Sequence, residues 1–300
     1  MEGEPGSQAG GAASVDDVVA GLGAQEYLAD EGLATAVFLA LRLQRPLFLE
    51  GDAGVGKTEV ARALASWTGG PLVRLQCHEG LDAAQALYEW DHARQLLHLR
   101  AAEASGRATA SGTEALEAEL YDERFLVKRP LLRALTADGA VPPVLLVDEV
   151  DRADDEFEAF LLEFLADFAV TIPELGGTVT ARRRPLTVLT SNRTRELHDA
   201  LKRRCLYHWI DYPTRDREAE IVRTRLPGVP EAIAERVCVA VARLREEELY
   251  KLPGVGETIT WARALLALDG NGDLESTLGV ALKVREDIER VREKDVLDGV

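Results

Sequence analysis

The chain has 300 residues, a formal net charge of -17 and an apolar fraction of 46%. That length suits one large and one small domain, and that apolar content can fill a real core. So acidic a balance weighs against general nucleic-acid binding, because phosphates would repel the chain. Cys77, Cys205 and Cys238 lie far apart and form no CxxC pair, which points to free thiols in a reducing cytoplasm rather than a zinc or redox site. No apolar run approaches the roughly 20 residues needed to span a bilayer. The Gly-, Ala- and Ser-rich start lacks a basic region followed by an apolar stretch, so no signal peptide is expected, and disorder is expected over residues 1–15.

In chain order, Glu31–Leu43 predicts a helix with Ala and Leu on its buried side. The apolar run 46–49 predicts a buried parallel strand that stops at a Gly-rich turn. Residues 58–67 predict a helix, 71–76 a second strand and 82–99 a further helix carrying Leu87, Tyr88, Trp90 and Leu97. Residues 101–120 are small and polar, which suggests an exposed insertion, a loop or an extended helix tip. Helical spacing resumes over 125–135, with Pro130 near a first turn. Residues 144–147 predict a third strand. Phe157, Phe160, Leu161, Phe164, Leu165 and Phe168 form one helical stripe, the pattern of core packing. Residues 170–172 and 178–180 flank PELGG as a hairpin, and 185–190 and 206–210 supply two more strands. Strands separated by helices imply an α/β fold with a parallel five-stranded sheet. Beyond Pro213 only helical segments are predicted, at Arg215–Arg225, 231–250, 258–268 and 274–291. The expected division is therefore an α/β domain over 16–212 and a smaller all-helical domain over 213–300.

Gly51-Asp52-Ala53-Gly54-Val55-Gly56-Lys57-Thr58 fits GxxxxGK[ST], and it follows a strand and opens a helix. Glycines let backbone N–H groups turn toward phosphates, and the helix N-terminus adds positive potential. Lys57 can reach the β- and γ-phosphates of ATP, and the Thr58 hydroxyl can ligate Mg²⁺. Next comes the apolar run 144–147 ending in Asp148 and Glu149. Asp148 suits the Mg²⁺ site, directly or through water, and Glu149 suits a general base that polarises water. The run PLTVLT then ends at Ser191 and Asn192, and an Asn at that strand tip can bond the γ-phosphate or the attacking water. The five histidines are scattered, so no metal beyond Mg²⁺ is expected.

The order of these motifs, followed by a helix ending in Leu201-Lys202-Arg203-Arg204-Cys205, resembles the AAA+ ATPases. More narrowly, RLQCHEGLDAAQALYEWDHARQLLHLR, FLVKRPLL, VDEVDRADDEFEAFLLEFLADFAVTIPELG and LTSNRTRELHDALKRRCLYHWIDYP resemble the MoxR family, in the branch that includes the CoxD-like maturation factor of carbon monoxide dehydrogenase. The resemblance covers about residues 25–268. It implies ATP hydrolysis in a ring of six subunits that remodels or activates a client, with a molybdenum hydroxylase among the candidate clients. It also implies a partner bearing a von Willebrand factor A domain. It casts Arg204 as the arginine finger, with Arg203 as the fallback, and Arg263 as the lid's sensor arginine. The family has Ser-Pro-Arg where this chain reads Thr260-Trp261-Ala262-Arg263, which is a departure. The insertion and the hairpin match places where that family contacts clients.

A lone P-loop kinase-type enzyme and a DNA-acting AAA+ motor are the alternatives. The helical C-terminal part and the acidic charge argue against them. One further expectation rests on charge placement. Residues 148–167 hold nine acids (148, 149, 151, 154, 155, 156, 158, 163, 167), whereas residues 181–205 hold eight bases (182, 183, 184, 193, 195, 202, 203, 204). These two runs are expected to meet head to tail across a ring interface.

Overall fold

The computed structural model describes residues 12–105, 118–268 and 272–300. Of residues 1–15, expected to be disordered, 1–11 lie outside the described residues, as does most of the insertion, at 106–117, whereas residues 14 and 15 belong to a capped helix start. The first helix, Val15–Gly23, starts where Ser14 and Asp17 cap each other's backbone N–H groups.

Five strands form the main parallel sheet: β1 (Leu47–Glu50), β2 (Leu72–Gln76), β5 (Val144–Asp148), β8 (Leu186–Ser191) and β9 (Leu206–Trp209), in the order β2-β5-β8-β1-β9. Every residue of β1 and β5 is buried, as expected of strands covered on both faces. In register, Gln76 of β2 lies opposite Asp148 of β5, and Val147 of β5 opposite Leu189 of β8. The apolar stripe of the helix Asp155–Asp167 packs into this core through Phe157, Leu161, Phe164 and Leu165.

Two expected helices break up. Residues 82–99 give a short helix Ala83–Leu87, the strand β3 (Tyr88–Trp90) and the helix His92–Ala104, with Asp82 and Asp91 each capping a helix start. Residues 125–135 begin with β4 (Leu126–Lys128) and become helical only at Pro130–Leu135, with Pro130 in the first turn. The reason is a tertiary one: β3 and β4 pair antiparallel, Tyr88 opposite Lys128 and Trp90 opposite Leu126, and that ladder overrides the local helical spacing. The expected hairpin forms as β6 (Ala169–Ile172) and β7 (Gly177–Thr180). Its tip carries Glu174, whose carboxylate accepts from the Tyr88 hydroxyl at 3.0 Å and from Trp90 Nε1 at 3.2 Å.

The chain forms two compact units. One comprises residues 36–48 and 68–207; the other comprises residues 12–35, 49–67 and 208–300. The P-loop thus belongs to the same unit as the C-terminal helices Arg215–Arg225, Glu231–Arg245 and Val255–Ala267. Those helices bury Val222, Val237, Val241, Trp261 and Leu265 in a core of their own. The last expected helix divides into Leu278–Ala281 and Arg285–Glu293. Among the described residues, no helix is long and apolar enough to cross a membrane.

Candidate nucleotide site

The phosphate-binding candidate is the turn between β1 and the helix Lys57–Thr68. Gly51 runs so close to the β9 exit that an added Cβ would lie 2.2 Å from the Ile210 carbonyl oxygen. Gly54 sits at φ +85°, where L side chains are strained, and faces Gly254 with 2.7 Å between that residue's Cα and an added Cβ. The surroundings of the loop therefore leave no room for a side chain at Gly51 or Gly54. Lys57 is 6% exposed, and its Nζ donates to the carbonyls of Gly51 and Asp52, both at 2.7 Å. The ammonium is thus turned back into the loop. Asp52, Ala53 and Gly54 lie on the exposed rim, Val55 is buried, and Gly56 and Thr58 are half-buried.

The same unit surrounds this loop with further groups. Tyr27 lies beside Gly56, and its phenol is held above the ordinary range, chiefly by burial and then by Asp30 and Glu59. Arg225 bonds Glu59 on the helix that follows the loop, at 2.6 Å. The Tyr212 hydroxyl donates to the Ala53 carbonyl, and the Val255 N–H donates to the Gly54 carbonyl. At this end of the helix Val255–Ala267 the charged residue beside the loop is Glu257, whose Oε2 accepts from the Gly254 N–H at 3.2 Å and lies 3.7 Å from the Gly54 Cβ position. Arg263 is exposed and lies six residues further along the same helix. The structure brings Glu257 to the P-loop.

The acidic candidates form a second cluster, in the other unit. Asp148 is 2% exposed, and its carboxylate accepts from Arg74 and, at 2.6 Å, from the Thr190 hydroxyl. Glu149 adopts a left-handed backbone, φ 54° and ψ 50°, rare for a non-glycine residue and typical of functional turns. Its N–H donates to Thr190 Oγ1. Its carboxylate accepts from Asn192 Nδ2 at 3.2 Å and Gln76 Nε2 at 3.1 Å, with Arg152 at 3.3 Å. Glu149 and Asn192 are therefore in direct contact. Reading the residues alone misses Arg74, Gln76 and Thr190. The alternation in LVRLQ signals that Arg74 and Gln76 share one face of β2, but nothing local says that β2 lies beside β5.

Arg203 and Arg204 close the helix Asp199–Arg204. Arg203 is well exposed, with Asp199 at 4.0 Å, while Arg204 donates to the Leu162 carbonyl at 2.7 Å. The Arg45 guanidinium holds the carbonyls of both residues. Of the eight bases expected to face a neighbour's acidic run, Arg195 meets that run within its own chain. Arg195 pairs with the fully buried Glu158 and with Asp155, Thr194 donates to Asp151, and the His198 N–H donates to Glu158. Desolvating Glu158 favours a partner fixed on the same chain over one that must be recruited. Cys77, Cys205 and Cys238 are separate, buried, free thiols.

A stretch of 54 residues is 44% identical to midasin of Giardia intestinalis; it makes up 18% of this chain and 1% of midasin. The crystal structure of domain III of the replication initiation protein DnaA from Thermotoga maritima superposes with a TM-score of 0.43 and 16% identity, covering 85% of this chain and 93% of that one. Residues 46–205 match the family model described as AAA domain (dynein-related subfamily), and since that match spans more than half of the chain, the protein belongs to this AAA family.

Proposed function

We propose that this protein binds ATP with Mg²⁺ at Gly51–Thr58 and hydrolyses it as a MoxR-type AAA+ ATPase, within a ring, to remodel or activate a partner protein. The observation that carries the reading is the P-loop itself: a strand–turn–helix loop whose Gly51 and Gly54 have no room for a side chain, with the buried Lys57 ammonium turned back onto its carbonyls. An anion of phosphate size fits that combination of N–H donors and positive charge. The donors assigned to the metal, the Thr58 hydroxyl and the Asp148 carboxylate, are hard oxygens of the kind Mg²⁺ accepts. When bound, Mg²⁺ neutralises charge developing on the phosphates.

The chain's own residues then divide the work. Lys57 exchanges the loop carbonyls for phosphate oxygens. Glu149 takes a proton from the attacking water, and Asn192, already bonded to it, orients carboxylate and water together. Arg203 or Arg204 stabilises transition-state charge on a neighbouring subunit's nucleotide. In this reading residues 16–212 carry the ATPase chemistry and 213–300 act as the lid. The ring of six, the von Willebrand factor A partner and a metalloenzyme client such as carbon monoxide dehydrogenase are what the MoxR resemblance adds. ATP hydrolysis by the purified chain, lost with Lys57→Ala, tests the core of the reading. Activity unaltered by that substitution would place the chemistry elsewhere.

A further inference from the structure

Two carbonyl groups of the P-loop are tied from outside by the helical part of the same unit. The Tyr212 hydroxyl donates to the Ala53 carbonyl at 3.1 Å, and the Val255 N–H to the Gly54 carbonyl at 3.0 Å. Between them Gly254 touches Gly54 so closely that a Cβ added to Gly254 would fall 2.6 Å from the Gly54 Cα and 2.9 Å from its carbonyl oxygen. Only two glycines permit this approach.

Tyr212 is itself held. The Arg245 guanidinium lies over its ring, 4.2 Å from the centroid. Arg245 is fixed in turn by a fork onto Glu218, with Nη1 to Oε2 at 2.6 Å and Nη2 to Oε1 at 2.8 Å, while its Nε donates to the Pro253 carbonyl at 2.9 Å. Glu218 is 1% exposed and also accepts from the Thr258 hydroxyl at 2.6 Å. Arginine alone supplies a planar fork, a third donor and a flat face at once. Pro253, Gly254 and Thr258 all belong to the start of the helix that touches Gly54. The network therefore sets both contacts, the phenol and the turn.

The consequence follows from peptide geometry. In a trans peptide the carbonyl of one residue and the N–H of the next point in opposite directions. A tie on the Ala53 carbonyl fixes where the Gly54 N–H points, and a tie on the Gly54 carbonyl fixes the Val55 N–H. Both N–H groups then face away from Tyr212 and Val255. We propose that Tyr212, backed by Arg245 and Glu218, and the Gly254–Val255 turn are positioning elements that aim the Gly54 and Val55 N–H groups at the phosphates of the bound nucleotide. The proposal rests on the nucleotide reading of the P-loop. The Tyr212 phenol is held above its ordinary range, by burial first and then by Asp52, so it remains a donor at every pH where the protein is handled.

The test uses the full chain and ADP. Tyr212→Phe removes one hydroxyl and keeps the ring under Arg245. It should weaken ADP binding roughly five- to tenfold in a calorimetric titration, the equivalent of about one hydrogen bond, with the unfolding midpoint little changed. Gly254→Ala should weaken ADP binding in the same direction, because its methyl group pushes the turn off Gly54. Hydrogen–deuterium exchange of the ligand-free protein provides an independent readout: backbone amides of the loop 51–56 should exchange faster in Tyr212→Phe. Wild-type ADP affinity and unaltered loop exchange in Tyr212→Phe would overturn the proposal while leaving the nucleotide reading intact. Failure of the wild-type chain to bind ADP would instead sink the nucleotide reading, and the proposal with it.

Discussion

Arg74 places two donors, Nε at 3.0 Å and Nη2 at 2.6 Å, on a single carboxylate oxygen of Asp148. The other oxygen accepts from the Thr190 hydroxyl, so the acid assigned to the metal is charge-paired on one oxygen and hydrogen-bonded on the other by its own chain. Arg74→Met should therefore act in two ways. The ligand-free protein should lose on the order of 2 kcal/mol of stability, because a buried acid loses a charged donor. Mg²⁺ with nucleotide should then stabilise the variant more than it stabilises the wild type, since a cation replaces the missing charge. Thermal unfolding with and without Mg²⁺-ADP reads both effects, and an equal shift in the two proteins would separate Arg74 from the metal.

Lys57 and Glu149 should fail differently. Lys57→Ala should weaken ATP binding by about 10- to 100-fold, the scale of charged hydrogen bonds. Glu149→Gln should keep ATP binding and lower turnover by about 10²–10⁴, the usual share of a general base. Asn192→Ala should follow Glu149→Gln in direction, because it frees the carboxylate it now holds. Turnover of Glu149→Gln at the wild-type rate would remove Glu149 from the mechanism.

Arg203 and Arg204 are distinguishable by rescue. Arg203 and Arg204 are both exposed, but Arg204 must first leave the Leu162 carbonyl. The true finger, replaced by Ala, should lose hydrolysis and keep ATP binding. Mixing that variant with Lys57→Ala should then restore part of the activity, since each supplies what the other lacks. Specific activity of the wild type should also rise with protein concentration. Full activity at high dilution would exclude a finger supplied by a neighbour.

The three thiols give a pH signature. Burial pushes Cys77, Cys205 and Cys238 each up to about 12, with nearby acids adding to the effect at Cys77 and Arg45 opposing it at Cys205. A thiol whose folded pKa exceeds its unfolded value favours folding below the unfolded value. That contribution is complete below about pH 9 and fades as pH rises toward 12. At pH 8 all three should resist a thiol reagent in the native protein and react after unfolding. Rapid native labelling of any one would contradict its burial.

The features legible in the sequence were those with a local cause. The P-loop, the apolar β5 run with its terminal acids and the Phe157–Phe168 stripe each carry their own period or motif. Tyr88–Trp90 was misread because its strand partner, Leu126–Lys128, lies far along the chain and leaves no local mark. The acidic and basic runs were legible as charge, but their mutual pairing through Arg195 and Glu158 depends on the fold bringing them together. Glu257, which stands beside the P-loop, carried no motif of its own, and its place there depends on the Gly254 turn packing on Gly54. Tyr212 had no motif to announce it.

Glu174 has a mechanical meaning. One carboxylate at the tip of the β6–β7 hairpin holds both aromatic residues of β3, Tyr88 and Trp90, and Trp90 also meets Tyr121 edge-on. The β3–β4 and β6–β7 ladders are therefore riveted together at one carboxylate. Displacing either ladder loads the hydrogen bonds of the other, so the two shift as one body. The Trp90 indole sits at that joint, where the emission of a native chromophore would register any strain between them.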